Sequence, residues 1–194
     1  VAVAPVDLVA DDPARVHVSM AAYGEGARAA LPGHDLNVEG YAGILGLSRG
    51  VDGGAAMPPF PVADMASGLQ AALAVVAGLR VAETQEAPST EAPAFRADVT
   101  MLDSAMSLTV VGQGAVLATG EAPPVPDILT GALACYGVYR ASDGRYLSIG
   151  PLEPKFWAAF NAAIGRKGDA SELVAPAAVQ DRVRAEIQAI LGTR

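Results

Sequence analysis

Arg15-Val16-His17-Val18-Ser19-Met20 runs straight into Ala21-Ala22-Tyr23-Gly24. β-Branched and polar residues alternate through the first six positions, the period of a strand with two unlike faces. The small residues and glycine that follow read as a loop at the strand's carboxyl end. In open α/β sheets that end is where ligands bind. This stretch therefore sets the fold class as α/β and tells where to look for a site. His17 lies inside the strand and reads as a partly exposed strand histidine rather than a catalytic one.

Outward from that strand, Glu25 to Gly33 is a loop. From His34, apolar residues recur at Leu36, Val38, Tyr41, Ile44, Leu45 and Leu47, a helical spacing that ends near Ser48-Arg49-Gly50. Gly50 to Gly54 and then Pro58-Pro59-Phe60-Pro61 form a flexible, then stiff, connection. Asp64 opens a helix to about Glu83, with apolar positions almost all round, which predicts burial. Thr84 to Pro93 is polar and reads as a mobile surface loop. Phe95 to Met101 alternates like a second strand, and Leu102 to about Ala118 reads as one helix. Upstream, residues 1–13 are Ala/Val-rich and then acidic, with a turn at Asp11-Asp12-Pro13.

Gly120 to Gly131 carries Pro123, Pro124 and Pro126 and reads as an interdomain linker. The expected organisation is a partial large α/β domain over 1–119, a Pro-rich linker over 120–133 and a small α+β domain over 134–194. In the small domain, Tyr136 to Arg140 and Arg145 to Ile149 flank Ala141-Ser142-Asp143-Gly144, a β-hairpin pattern with Asp-Gly in the turn. Gly150-Pro151-Leu152-Glu153-Pro154 opens a short helix through Phe156, Trp157 and Phe160. Gly165 to Pro176 is a loop, and Val179 to Leu191 is a terminal amphipathic helix.

Composition narrows the function classes. Hydrophobic residues make up 52% and charged residues 18% of 194 positions, enough for a packed core and too apolar for a disordered chain. A formal net charge of -8 points away from nucleic-acid binding through a basic patch. The single cysteine, Cys135, has no internal partner and fits a reducing compartment, the cytoplasm. The apolar run from Leu69 to Leu79 is about half of a bilayer span, so no membrane span is expected. The N-terminus lacks the basic start of a signal peptide. It also lacks an initiator Met, so the chain is expected to be part of something longer. No GxGxxG, Walker loop or GxSxG occurs, and two distant histidines without HExxH or a Cys pair argue against zinc.

Candidate chemistry centres on two helix starts. Pro32-Gly33-His34-Asp35-Leu36-Asn37 delivers a histidine from a loop onto a helix, and Asp64 does the same with a carboxylate. The pair could be the two ends of a proton-transfer site. Spacing alone favours plainer readings: Asp64 as an ordinary N-cap, Asp35 or Asn37 as a cap of the first helix, and His34 as a loop histidine. Glu153, between prolines, reads by itself as a solvated first-turn glutamate. Tyr136, Tyr139 and Tyr146 read as cross-strand packing. Met20, Met57, Met65, Met101 and Met106 read as core filler or a pliable apolar surface. Cys135 has no nearby base and reads as inert.

Four phrases occur in a fixed order: Gly33-His34-Asp35-Leu36-Asn37, Pro61-Val62-Ala63-Asp64, Asp98-Val99-Thr100-Met101-Leu102-Asp103-Ser104 and Tyr139-Arg140-Ala141-Ser142-Asp143-Gly144-Arg145-Tyr146-Leu147. Over residues 14–165 this order resembles the family III CoA-transferase (CaiB/BaiF) superfamily. Gly33-His34-Asp35 with Gly150-Pro151-Leu152-Glu153-Pro154-Lys155-Phe156-Trp157 is similar to its α-methylacyl-CoA racemase branch. The resemblance implies a partial Rossmann-like large domain with a small α+β domain and hairpin, acting in lipid metabolism. It implies that Asp64 is the key carboxylate and that His34 faces it as the second acid/base. It further implies that Glu153 helps hold the histidine, and that the backbone N–H of Asp35 helps hold the thioester oxygen. Ala22-Tyr23-Gly24 would form a rim for the CoA pantetheine arm. No cofactor is implied beyond coenzyme A as part of the substrate, and no metal.

The partners so implied are an acyl-CoA and a second copy in an interlocked homodimer, or a complementing chain, with no nucleic acid. The family's first strands, its CoA-phosphate-binding basic residues and its returning C-terminal segment have no counterpart here. Residues 84–94 replace a Gly-rich basic turn, which leaves Arg28, Arg49 or Arg80 for anions. The expected activity is a two-base acyl-CoA racemase or epimerase. The alternatives are a CoA-transferase with Asp64 as nucleophile, or a truncated paralogue without turnover of its own.

Overall fold

The computed structural model describes residues 2–4, 16–48, 54–84, 93–122 and 124–194. The expected Asp11-Asp12-Pro13 turn, Arg49, the flexible residues 50–53 and the loop over 85–92 lie outside them. The chain divides into two units, Val1–Ala122 and Pro123–Arg194, each taken by itself below.

The first unit is built on a parallel three-stranded sheet in the order β1 (Ala2–Ala4), β2 (Val16–Ala21), β3 (Phe95–Thr100). Ala2 pairs with His17, and Ser19 pairs with Asp98. The side chains of this last pair also meet, with the Ser19 hydroxyl donating to the Asp98 carboxylate. β1 escapes a reading by pattern because three residues are too few for alternation to show. Its presence places β2 at the centre, flanked on both sides. That position corrects the reading of His17, which is 3% exposed rather than partly exposed.

Among the described residues the unit's helices are α1 (Asp35–Tyr41), α2 (Ile44–Leu47), α3 (Val62–Thr84), α4 (Met101–Leu108) and α5 (Val110–Thr119). The single helix expected from His34 to Ser48 breaks where Gly43 takes a φ of 81°, a conformation only glycine adopts without strain. The single helix expected from Leu102 to Ala118 bends by 80° between α4 and α5. Thr100 caps α4, its hydroxyl oxygen accepting the Asp103 N–H at 2.9 Å.

α3 corrects the expectation of burial all round. Its buried positions are small: Ala63, Ala66, Ser67, Ala71, Gly78 and Ala82. Most of its large residues point outward, with Leu69 at 68% and Leu73 at 69% exposure, while Val62 and Val75 are half-buried against the core. Ala71 and Ala82 pack with Val16 and Val18 of the sheet. The helix must come close here, because a Cβ on Gly78 would lie 2.6 Å from both Phe95 Cδ1 and Val16 Cγ1. By length and composition α3 could also cross a membrane, which the short Leu69–Leu79 run did not indicate.

The second unit packs the hairpin β4 (Gly137–Arg140) and β5 (Tyr146–Ile149) with α6 (Pro154–Ile164), a 3-10 turn (Ala170–Val174) and α7 (Ala177–Leu191). Tyr139, Trp157, Ile164, Val183, Ile187 and Leu191 form its core with Cys135. Of the three hairpin-region tyrosines only Tyr139 is buried. Burial pushes the Cys135 thiol above its ordinary range, so its reactive thiolate is disfavoured. The end of the expected linker and the start of the expected small domain are both tied to this unit's last helix. Arg184 donates to the Gly131 carbonyl at 2.6 Å, and the Ala134 N–H donates to Gln180 at 2.9 Å.

Candidate active site at two helix starts

The loop after β2 returns over the strand's carboxyl end. Gly33 is required there, since a Cβ would lie 2.8 Å from Ala22 Cβ and from the Tyr23 ring. That contact places the following His34 and Asp35 beside the end of β2. His34 is the N-cap residue of α1 and is exposed; its N–H donates to Asn37 Oδ1 at 3.1 Å.

The start of α3 is held from α1. Asp35 Oδ1 accepts the N–H of Ala63 at 2.7 Å and of Asp64 at 3.1 Å. Glu39 Oε1 accepts the N–H of Val62 at 3.1 Å. Two carboxyls one helical turn apart thus take up three first-turn amides that α3 itself cannot satisfy. Asp64 is consequently not the N-cap of its helix. Its side chain is exposed, and among the described residues its carboxylate accepts no hydrogen bond.

Asp64 lines a cavity of about 360 Å³ together with Met20, Ala21, Ala22, Gly33, Ser67 and Met101. The Ser67 hydroxyl is turned to the helix, donating to the Asp64 carbonyl at 3.0 Å. An acidic residue therefore shares this space with two methionines, small residues and a serine. His34 neighbours this lining through Gly33 but is not part of it.

The remaining candidates separate. Ala22 lines the cavity, whereas Tyr23 is 5% exposed and packs in the core with Val38 and Ala63, its ring edge-on to Tyr41. Gly24 is half-buried near Thr100. Glu153 belongs to the second unit, where it is the exposed N-cap residue of α6. Arg28 lies over the Tyr41 ring at 4.6 Å, and Arg80 pairs with Glu83 at 3.5 Å. Sequence reasoning missed Glu39. Its one available signal was a charge in the apolar face of the Leu36–Leu47 pattern.

Known proteins agree with this reading of the fold. Residues 2–194 match CoA-transferase family III, beyond the 14–165 that carry the motifs. The human alpha-methylacyl-CoA racemase is 26% identical over 173 residues, covering 85% of this chain and 42% of that protein. The crystal structure of a hypothetical protein, Rv3272, from Mycobacterium tuberculosis superposes with a TM-score of 0.70 at 25% identity, over 98% of this chain and 50% of that one. A CAIB/BAIF family protein from Brucella suis shares the fold at a TM-score of 0.67 and 19% identity, over 93% of this chain and 49% of its own. The chain thus spans about half the length of the proteins it matches. It belongs to CoA-transferase family III.

Proposed function

We propose that this protein is an acyl-CoA racemase or epimerase that moves the α-proton of a 2-methylacyl-CoA thioester, with His34 and Asp64 as paired acid and base. The observation that carries this reading is Asp64: an exposed carboxylate that accepts no hydrogen bond among the described residues and lines a cavity at the carboxyl end of β2, beside the Gly33-His34 turn. A proton α to a thioester is weakly acidic. Its removal needs a base within hydrogen-bond reach and a donor for the enolate oxygen. One residue takes the proton while the other returns one to the opposite face, and the roles exchange with the substrate's handedness. The Asp35 amide opens α1 and has no intrahelical carbonyl to bond, so it is free to meet the enolate oxygen. Met20 and Met101 give the acyl chain a pliable wall against which to swing. The name of the human relative supports the substrate class. Glu153 is assigned to this chemistry by family resemblance alone. The same reading carries with it a cytoplasmic homodimer, or a complementing chain, and no cofactor besides the CoA of the substrate.

The test is deuterium uptake at Cα of a 2-methylacyl-CoA in heavy water. Asp64→Asn and His34→Ala should each slow it by about 10²- to 10⁴-fold, the usual contribution of a general acid or base. A folded protein that exchanges no deuterium overturns the reading. The exposed Asp64 carboxylate also supports a second one, a CoA-transferase in which Asp64 attacks the acyl-CoA. Hydroxylamine trapping of an acyl group on Asp64 would select it. Turnover only after adding a complementing chain would identify this chain as an incomplete subunit.

A further inference from the structure

We propose that Glu39 is a positioning residue for Asp64: it fixes the first turn of α3 through Val62 and donates a hydrogen bond from its second carboxyl oxygen to Asp35. The proposal rests on the assignment of Asp64 to the chemistry, and deepens it.

Glu39 is 0% exposed, so water cannot hydrate a charge there. One oxygen takes the Val62 N–H; the other, Oε2, is buried with no hydrogen-bond partner among the described residues. A buried, unpartnered carboxylate oxygen is costly. Protonation removes the cost by turning that oxygen into a donor. A candidate acceptor lies one turn earlier on the same helix: Asp35, four residues back, whose charge acts on Glu39.

The surrounding charges favour the same state. Burial pushes the Glu39 carboxyl above its ordinary value, and the charges of Asp35 on α1 and Asp64 on α3 push the same way; only the Val62 N–H opposes them. From α4, Asp103 is engaged by the Thr100 hydroxyl at 2.6 Å, and α2 carries no titratable residue. Among the described residues no cation acts on Glu39. A neutral Glu39 has two consequences. Asp35 keeps hold of the Ala63 and Asp64 amides. Asp64 meets one fewer negative neighbour.

Carboxyl carbon NMR titration, with amide exchange at Val62, tests this on the protein without substrate. Glu39→Gln replaces one neutral donor–acceptor with another, so Val62 exchange should stay as in the unsubstituted protein. The Glu39 carboxyl carbon should itself show the protonated form above the ordinary glutamate range; a Glu39 ionised throughout that range overturns the proposal. Glu39→Leu loses both contacts, so Val62 exchange should quicken by about tenfold or more, as expected when local opening becomes easier. Unchanged Val62 exchange also overturns the proposal, and if the Leu variant does not fold, the Glu39 titration alone decides. Where deuterium uptake is measurable, Glu39→Leu should lower kcat about tenfold at constant KM, with Glu39→Gln recovering most of it; wild-type kcat in the Leu variant counts against the proposal. Absence of uptake in the unsubstituted protein would sink the racemase reading, while the titrations would still decide the state of Glu39.

Discussion

Each unit shields a glutamate from most of the solvent, Glu39 buried and Glu172 half-buried, and the two are treated in opposite ways. In the second unit Glu172 faces Arg166: Oε1 accepts from Nη2 at 2.6 Å, and Oε2 accepts from Nη1 at 2.9 Å and from the Trp157 indole at 3.2 Å. Arg166 reaches Glu186 as well, at 2.8 Å. Both Glu172 oxygens are thus engaged, and the guanidinium holds the Glu172 carboxyl below its ordinary range. In the first unit Glu39 has one amide, one empty oxygen and two acidic neighbours. A buried carboxyl with its counter-charge built in closes a fold. Carboxyls gathered without a cation at a helix start, beside a cavity, strain the fold and are the kind of arrangement found at functional sites.

The largest way to break that contrast is to remove the cation. Arg166→Met strands Glu172, whose side chain is 13% exposed, next to the Trp157 core. Stability should fall by about 3–5 kcal/mol, the usual cost of orphaning a buried charge. Urea unfolding followed by Trp157 fluorescence would measure it. Adding Glu172→Leu should recover most of the loss, and a loss under about 1 kcal/mol would mean that the pair behaves as a surface one.

Next comes Gly78→Ala in the first unit. Alanine favours a helix by up to about 1 kcal/mol over glycine. Here the new Cβ would press on Val16, 1% exposed, and Phe95, both on strands with little room to yield. Overpacking of this kind costs about 1–3 kcal/mol, so a net loss is expected in thermal melts. A gain would show that the sheet gives way more easily than the Glu39 corner does.

These residues also show what sequence could and could not convey. The strand through Val16 and Val18, the Asp143-Gly144 hairpin and the helix carrying Asp64 were legible because period and turn chemistry are local. β1 was too short to show a period, and the breaks at Gly43 and Thr109 hide in patterns that remain apolar across them. The orientation of α3 was not legible because alanine and leucine count alike as apolar. Size, not hydrophobicity, sorts its faces, since only small residues let its backbone approach β2 and β3. At the site, Asp64 was found by its helix start and by motif order. Its capping partner was not, because the Asp35–Ala63 bond spans 28 residues and no spacing rule reaches that far. Glu39 left only a charge out of place.

The smallest and sharpest test of the contrast is pH. Glu172 has a folded-state pKa depressed below the ordinary 4.5, mainly by its hydrogen bond from Arg166. Between those values the unfolded chain binds more protons, so stability rises with pH; the contribution is complete above 4.5 and is lost as pH falls through the folded value. Glu39 is raised above 4.5, mainly by burial. Between 4.5 and its folded value the native state binds more protons, so its contribution is complete below 4.5 and is lost as pH rises through that value. Difference curves of unfolding free energy against pH, taken for Glu172→Gln and for Glu39→Gln, should therefore slope in opposite directions, in adjoining windows on either side of 4.5. Curves of the same sign would mean that Glu39 is as well paired as Glu172, and the first unit's acidic corner would then be architecture like the second unit's clasp.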